Sequence, residues 1–138
     1  MRDDASEWME TTAAMAMEDE TLATRATDNN EASALRESVT GDLRTGGVLS
    51  RTLPGYEERP AQIEMAQRVA DALEQSKHLV IEAGTGTGKS LAYLLPIVRS
   101  NKVALISTAN KALQEQLFYK DIPFIQGHIR DFPAALVK

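Results

Sequence analysis

Hydrophobic positions change their period several times along the chain. From Pro60 onward, Ile63, Ala66, Val69, Ala70 and Leu73 recur at steps of three and four, which predicts an amphipathic helix to about Ser76. Pro60 suits the first turn, where its missing N–H would have no partner anyway. The period then collapses. His78–Ala83 reads His-Leu-Val-Ile-Glu-Ala, short and aliphatic with Gly84 behind it, and predicts a buried strand. Ser90–Arg99 is apolar at helical spacing, with Pro96 expected to bend or end it. Val103–Ser107 predicts a second strand, and Asn110–Phe118 a second amphipathic helix with Leu113 and Leu117 on one face. Strand, loop, helix, strand, helix is the opening of a parallel α/β sheet, so the expected fold class is α/β with an incomplete parallel sheet. The tail, Ile122 to Lys138, holds Pro123 and Pro133 and takes no firm element, with Ala134–Val137 a candidate strand.

Before Val48 the pattern is absent. Residues 1–47 are rich in Thr, Ala, Met, Asp, Glu and Asn, and their large aliphatics are Leu22, Leu35, Val39 and Leu43. So little apolar surface is expected not to offset the ordering entropy. Short helices near Glu7–Met17 or Asn30–Ser38 are allowed by propensity, while Thr40-Gly41 and Gly46-Gly47 are expected to break any helix. The expected organisation is a poorly ordered acidic leader, 1–47, and a domain from 48 to 138. A solvated tail is favoured for the leader over a partner-binding role.

Charge follows the same division. The net charge is −5, but residues 1–50 hold four Lys/Arg against eleven Asp/Glu, and residues 51–138 hold eleven against nine. Acidity therefore says little about the domain's partners, and no strong basic patch stands out. No run of about 18 apolar residues occurs, and the N-terminus is acidic where a secretory signal is basic. No membrane association and a cytoplasmic location are expected. Cysteine is absent, which excludes disulfides and thiolate metal sites in this sequence.

One loop carries chemistry. Ala83-Gly84-Thr85-Gly86-Thr87-Gly88-Lys89-Ser90 fits the phosphate-loop (Walker A) pattern, with a predicted strand before it and a helix after it. Successive N–H groups curl round an anion, glycines admit the turn, and the helix aims its N-terminal dipole at the same charge. Lys89 reaches the β- and γ-phosphates of ATP, and the Ser90 hydroxyl is placed for Mg²⁺. Hydrolysis also needs an acid for the metal and a carboxylate for the attacking water. Asp121 and Asp131 are isolated in sequence and read as surface or turn residues.

Three segments go beyond a generic phosphate loop. They are Tyr56-Glu57-Glu58-Arg59-Pro60-Ala61-Gln62-Ile63-Glu64-Met65, then Glu82–Ser90, then Ile106-Ser107-Thr108-Ala109-Asn110-Lys111-Ala112-Leu113-Gln114-Glu115-Gln116-Leu117. In that order they resemble the DinG/XPD-like group of superfamily 2 DNA helicases, closer to the bacterial DinG branch, over about Leu53 to Lys138. The resemblance implies a RecA-like P-loop NTPase fold and ATP-driven movement on single-stranded DNA with 5′→3′ polarity. It implies adenine recognition by Tyr56 and Gln62 with Arg59 beside them: a ring can stack on the base, and an amide can pair with an adenine edge. It implies DNA-backbone contact by Thr108, Asn110, Lys111 and Gln114, whose donors suit phosphate oxygens. Helix capping alone would also select Thr108 or Asn110.

Members of that group also have an acidic box, a second motor domain and commonly a four-cysteine iron–sulfur cluster, and this sequence shows none of them. The expectation is therefore the N-terminal part of a helicase ATP-binding domain, inactive alone, with any iron–sulfur cluster confined to a longer chain. Two other readings stay open at this point: a P-loop ATPase of another class, and a truncated nucleotide-binding module without turnover.

Overall fold

The computed structural model describes residues 33–137. Its regular elements are α1 (Ala34–Leu43), α2 (Val48–Thr52), α3 (Pro60–Gln75), α4 (Lys89–Ser100), α5 (Lys111–Gln116), a π-helical turn (Leu117–Asp121) and α6 (Ile122–His128).

α1 corrects the expectation of a poorly ordered leader from residue 34 onward. Ser33 caps it, its side chain accepting the Arg36 N–H at 3.1 Å. Leu35, Val39 and Leu43 fall four residues apart on one face and are buried. That face meets small residues, Ala66 and Ala70 of α3 and Ala92 of α4, in one core with Leu49, Ile63 and Leu95. Mean composition concealed this, because three aliphatics in a helical row suffice where alanines opposite let the helices approach closely. Thr40 and Gly41 lie inside the helix, with the Thr40 hydroxyl donating to the Arg36 carbonyl at 2.7 Å. Polar ties complete the docking. Arg36 pairs with Asp71 of α3, and Asp42, 5% exposed, takes a two-pronged bond from Arg99 of α4 at 2.7 and 2.9 Å. The predicted Glu7–Met17 helix and the rest of the leader's first 32 residues lie outside the described residues.

α3 starts at Pro60, as the spacing predicts, and ends where Ser76 turns left-handed at φ 53°. α4 begins after Gly88 and does not stop at Pro96. That proline is fully buried within the helix, which runs on to Asn101 at φ 59°. Packing of Ala92, Leu94, Leu95 and Val98 holds the helix together through the missing N–H.

The two predicted strands do not form. Residues 77–84 and 102–108 are neither helical nor strand, and no strand occurs among the described residues, so the candidate at Ala134–Val137 is absent too. A strand exists through ladder bonds to a neighbour, and aliphatic propensity without one fixes nothing. Both segments lack such a neighbour. Val103 and Leu105 are consequently almost fully exposed, and Val80 is also open to solvent.

The second amphipathic helix is α5, shorter than predicted, with Asn110 as its cap accepting the Leu113 N–H at 2.8 Å. Beyond Gln116 the backbone widens, and the Ile122 N–H donates to the Leu117 carbonyl five residues back. Pro123, with no N–H to continue an α-helical ladder, lies just past this turn and opens α6. Leu117 and Ile125 join Leu94 and Val98 of α4 in a second small core.

Candidate nucleotide-binding site

The phosphate loop leaves the unpaired segment at Ala83 and turns into α4 at Lys89. Two of its glycines have positive φ, Gly86 at 78° and Gly88 at 80°, a region that L side chains avoid. Thr87 closes the turn, its hydroxyl donating to the Gly84 carbonyl at 2.8 Å. Gly88 caps α4 and has no side chain of its own to take the first N–H groups of the helix. Lys89 is exposed at that same end, and Ser90 is half-buried beside it. Free donors, a helix dipole and a lysine thus converge on one place, as a triphosphate requires.

Residues upstream of the loop grip it. The Arg59 guanidinium donates to the Gly86 carbonyl at 2.8 Å, and Gln62 Nε2 donates to the Gly88 carbonyl at 3.0 Å. Both bonds span from the start of α3 to the loop. Gln62 is 3% exposed, and its Oε1 is buried with no hydrogen-bond partner. Leaving such an acceptor unpaired costs about 1–3 kcal/mol, so the amide has an unused capacity at the edge of the loop. A Cβ on Gly88 would stand 2.2 Å from Gln62 Nε2, so any larger residue there must displace the Gln62 amide.

Tyr56 sits farther back. Its ring packs against the first core, and its hydroxyl donates to the Leu43 carbonyl at the end of α1. Burial pushes the phenol above its ordinary pKa, Glu58 adds to the rise, and Arg59 opposes it. Tyr93, one turn past Ser90, is raised chiefly by burial, while a side-chain hydrogen bond with Ser90 opposes the rise and the Asp121 charge adds to it. Asp121, set aside in the sequence as isolated, is therefore folded close to α4. Burial raises its carboxyl, against a hydrogen bond from Gln116. No local pattern announces this approach, because the π-turn delivers it.

Thr108, Asn110, Lys111 and Gln114 gather at the start of α5 and line one open recess with Ala109. Asn110 caps the helix, the Thr108 hydroxyl donates to the Asn110 carbonyl at 3.1 Å, and Lys111 is exposed with a loose pairing to Glu115 at 3.7 Å. Among the described residues no group of His, Asp or Glu is arranged to hold a metal ion, and no helix is long and apolar enough to cross a membrane.

The phosphate-loop geometry can be set beside known proteins. Residues 60–126 match the DEAD/DEAH box helicase family, whose members have a RecA-like P-loop fold. The chain is 46% identical over 92 residues to the ATP-dependent DNA helicase YoaA of Escherichia coli, covering 67% of this chain and 14% of that protein. It is 52% identical over 73 residues to the ATP-dependent helicase DinG of Mycobacterium tuberculosis, covering 50% and 11%. To the 3′-5′ exonuclease DinG of Bacillus subtilis it is 42% identical over 97 residues, covering 66% and 10%. No solved structure matches the chain significantly. The chain spans a small part of each relative's length. The matched stretch takes in the Walker A lysine, the α3 segment that grips the loop and the α5 segment beyond, and the chain is similar there to the DinG-like DEAD/DEAH box helicases.

Proposed function

We propose that this chain forms the ATP-binding part of an ATP-dependent DNA helicase, with the triphosphate held between the loop Ala83–Ser90 and the N-terminus of α4. The observation that carries the reading is the pair of left-handed glycines, Gly86 and Gly88, leading into a helix start free of any side-chain cap and followed at once by Lys89. Backbone N–H groups bind the phosphates, and Lys89 neutralises charge on the β- and γ-phosphates. The residues fit the nucleotide. Mg²⁺ would be held by the Ser90 hydroxyl together with phosphate oxygens, and it supplies further neutralisation when bound.

Gln62 and Arg59 form the adenine side of the proposed site, with Tyr56 packed behind them. Gln62 has an amide oxygen without a donor, and an adenine amine is a donor of matching geometry. Because that oxygen is buried against the loop, nucleotide entry would shift the loop and Gln62 together. In a longer protein that supplies neighbours, residues 78–83 and 103–107 are proposed to become strands of a parallel sheet.

Thr108, Asn110, Lys111 and Gln114 are proposed to follow the backbone of single-stranded DNA. The support is their convergence on one open recess, with Asn110 and Lys111 exposed and Thr108 and Gln114 half-buried. The test uses a longer protein that includes this segment. Lys89→Ala should abolish DNA-stimulated ATP hydrolysis. Lys111→Ala should weaken single-stranded DNA binding across sequences and lower the salt slope by about 0.7, one phosphate contact. Gln114→Ala should weaken binding with the slope unchanged. An unchanged slope for Lys111→Ala, or equal losses of DNA and ATP affinity, would return these residues to capping and packing.

A further inference from the structure

Residues 56–59 form a strap between α2 and α3 with no regular structure of its own. Leu53-Pro54-Gly55 turns into it, with Gly55 at φ 71° and the Tyr56 N–H donating to the Leu53 carbonyl at 3.1 Å. Beyond that turn, the side chains of Tyr56, Glu58 and Arg59 tie the strap down. On one side the Tyr56 hydroxyl donates to the Leu43 carbonyl, and Glu58 accepts the Thr45 N–H at 2.6 Å. On the other side Arg59 and Gln62 hold the carbonyls of Gly86 and Gly88. Leu43 and Thr45 lie outside the stretch that matches the helicase family, residues 60–126. Leu43 ends α1 and Thr45 lies just past its cap, on a helix that propensity allowed but whose packing the composition gave no reason to expect.

We propose that the end of α1 is a brace for the phosphate loop, acting through the strap, with Tyr56 and Glu58 as positioning residues that touch no phosphate themselves. α1 is anchored for this task at two further points. Arg99 clamps Asp42 to the far end of α4, and Arg36 and Thr40 tie α1 to Asp71 and Gln67 of α3. The brace therefore joins both flanks of the loop, the helix that grips it and the helix that leaves it. Glu58 contributes a charged acceptor, the stronger kind of hydrogen bond, and Thr45 with the neighbouring Arg44 holds its carboxyl below the usual range. Glycine-rich turns have many accessible conformations, and a fixed strap reduces the ordering that phosphate binding must supply.

The role rests on the nucleotide-binding reading above, and the test separates the two. The 138-residue chain is titrated with inorganic tripolyphosphate by calorimetry, and backbone order parameters are measured at Gly84, Gly86 and Gly88 by ¹⁵N relaxation. Tyr56→Phe deletes one strap bond while keeping the ring. Glu58→Ala deletes the other at an exposed position, where folding is not at risk, and Glu58→Gln restores an acceptor. Tyr56→Phe and Glu58→Ala should each weaken tripolyphosphate about three- to tenfold, the range for one hydrogen bond. Both should lower the loop order parameters, and Glu58→Gln should recover most of the loss. Unchanged affinity and order parameters in Glu58→Ala would overturn the brace. So would an affinity loss that Glu58→Gln fails to recover. A wild-type chain that does not bind tripolyphosphate would overturn the nucleotide reading, and with it the purpose of the brace, whatever the loop dynamics show.

Discussion

At the scale of single residues, the site is defined by backbone conformation more than by side-chain chemistry. Gly88 illustrates this with two independent constraints, φ at 80° and the amide of Gln62 where a Cβ would be. Gly88→Ala should therefore destabilise the chain by about 1–2 kcal/mol from the left-handed conformation alone. It should also cost at least about tenfold in triphosphate affinity, since the displaced Gln62 no longer holds the Gly88 carbonyl. The two causes separate in a double-mutant cycle. In a Gln62→Ala background the clash is gone, so Gly88→Ala should cost measurably less, and strict additivity in denaturant titrations would show that the contact carries no energy. The loop was legible in the sequence because glycine spacing encodes backbone geometry directly. The grip on it was not. Gln62 and Arg59 are placed in the sequence by family resemblance, as partners of adenine. Their bonds to Gly86 and Gly88 depend on how α3 docks, which no local pattern encodes.

Among the elements, helices were easier to read than the segments between them. α3 and α4 follow their apolar spacing because a helix satisfies its own backbone. Residues 78–83 and 103–107 have the aliphatic content of strands, but a strand needs a partner strand, and none forms among the described residues. α1 failed in the opposite sense: its low hydrophobic content concealed a row of three aliphatics spaced for one face. Leu43 is fully buried in that row, so Leu43→Ala should lower stability by about 2–5 kcal/mol in urea unfolding. A change below about 0.5 kcal/mol, typical of a surface site, would put α1 back among poorly ordered segments. The π-turn makes a second prediction. Burial raises the Asp121 carboxyl in the folded chain above its unfolded value. The folded state then holds its proton more tightly, so this group favours folding at low pH, and stability is lost as pH rises through the folded value. Asp121→Asn retains an acceptor for Gln116 and removes the charge. It should raise the melting temperature at pH 7, with the gain fading as pH falls below the ordinary carboxylate range. A gain of equal size at pH 3 would mean that charge burial is not the cause.

For the molecule as a whole, the helices make a platform and the loop is mounted on it. α1, α3 and α4 share one core, and the second, smaller core carries α5, the π-turn and α6 against the outer face of α4. α4 thus belongs to both, with the phosphate loop at its start. The same layout places the recess at Thr108–Gln114 on the segment that follows residues 102–108. Apolar side chains at Val103 and Leu105 remain uncovered in the described residues, and pairing of those segments in a longer protein would bury them. The central claim concerns the loop alone and can be tested on this chain. Amide ¹H–¹⁵N shifts are followed while ATP with Mg²⁺ is titrated into the 138-residue protein. Saturable changes are predicted, largest at Gly84 to Ser90, smaller at Arg59 and Gln62, and absent in Lys89→Ala at the same nucleotide concentrations. Shifts that centre elsewhere, or that persist unchanged in Lys89→Ala, would contradict a triphosphate site at this loop.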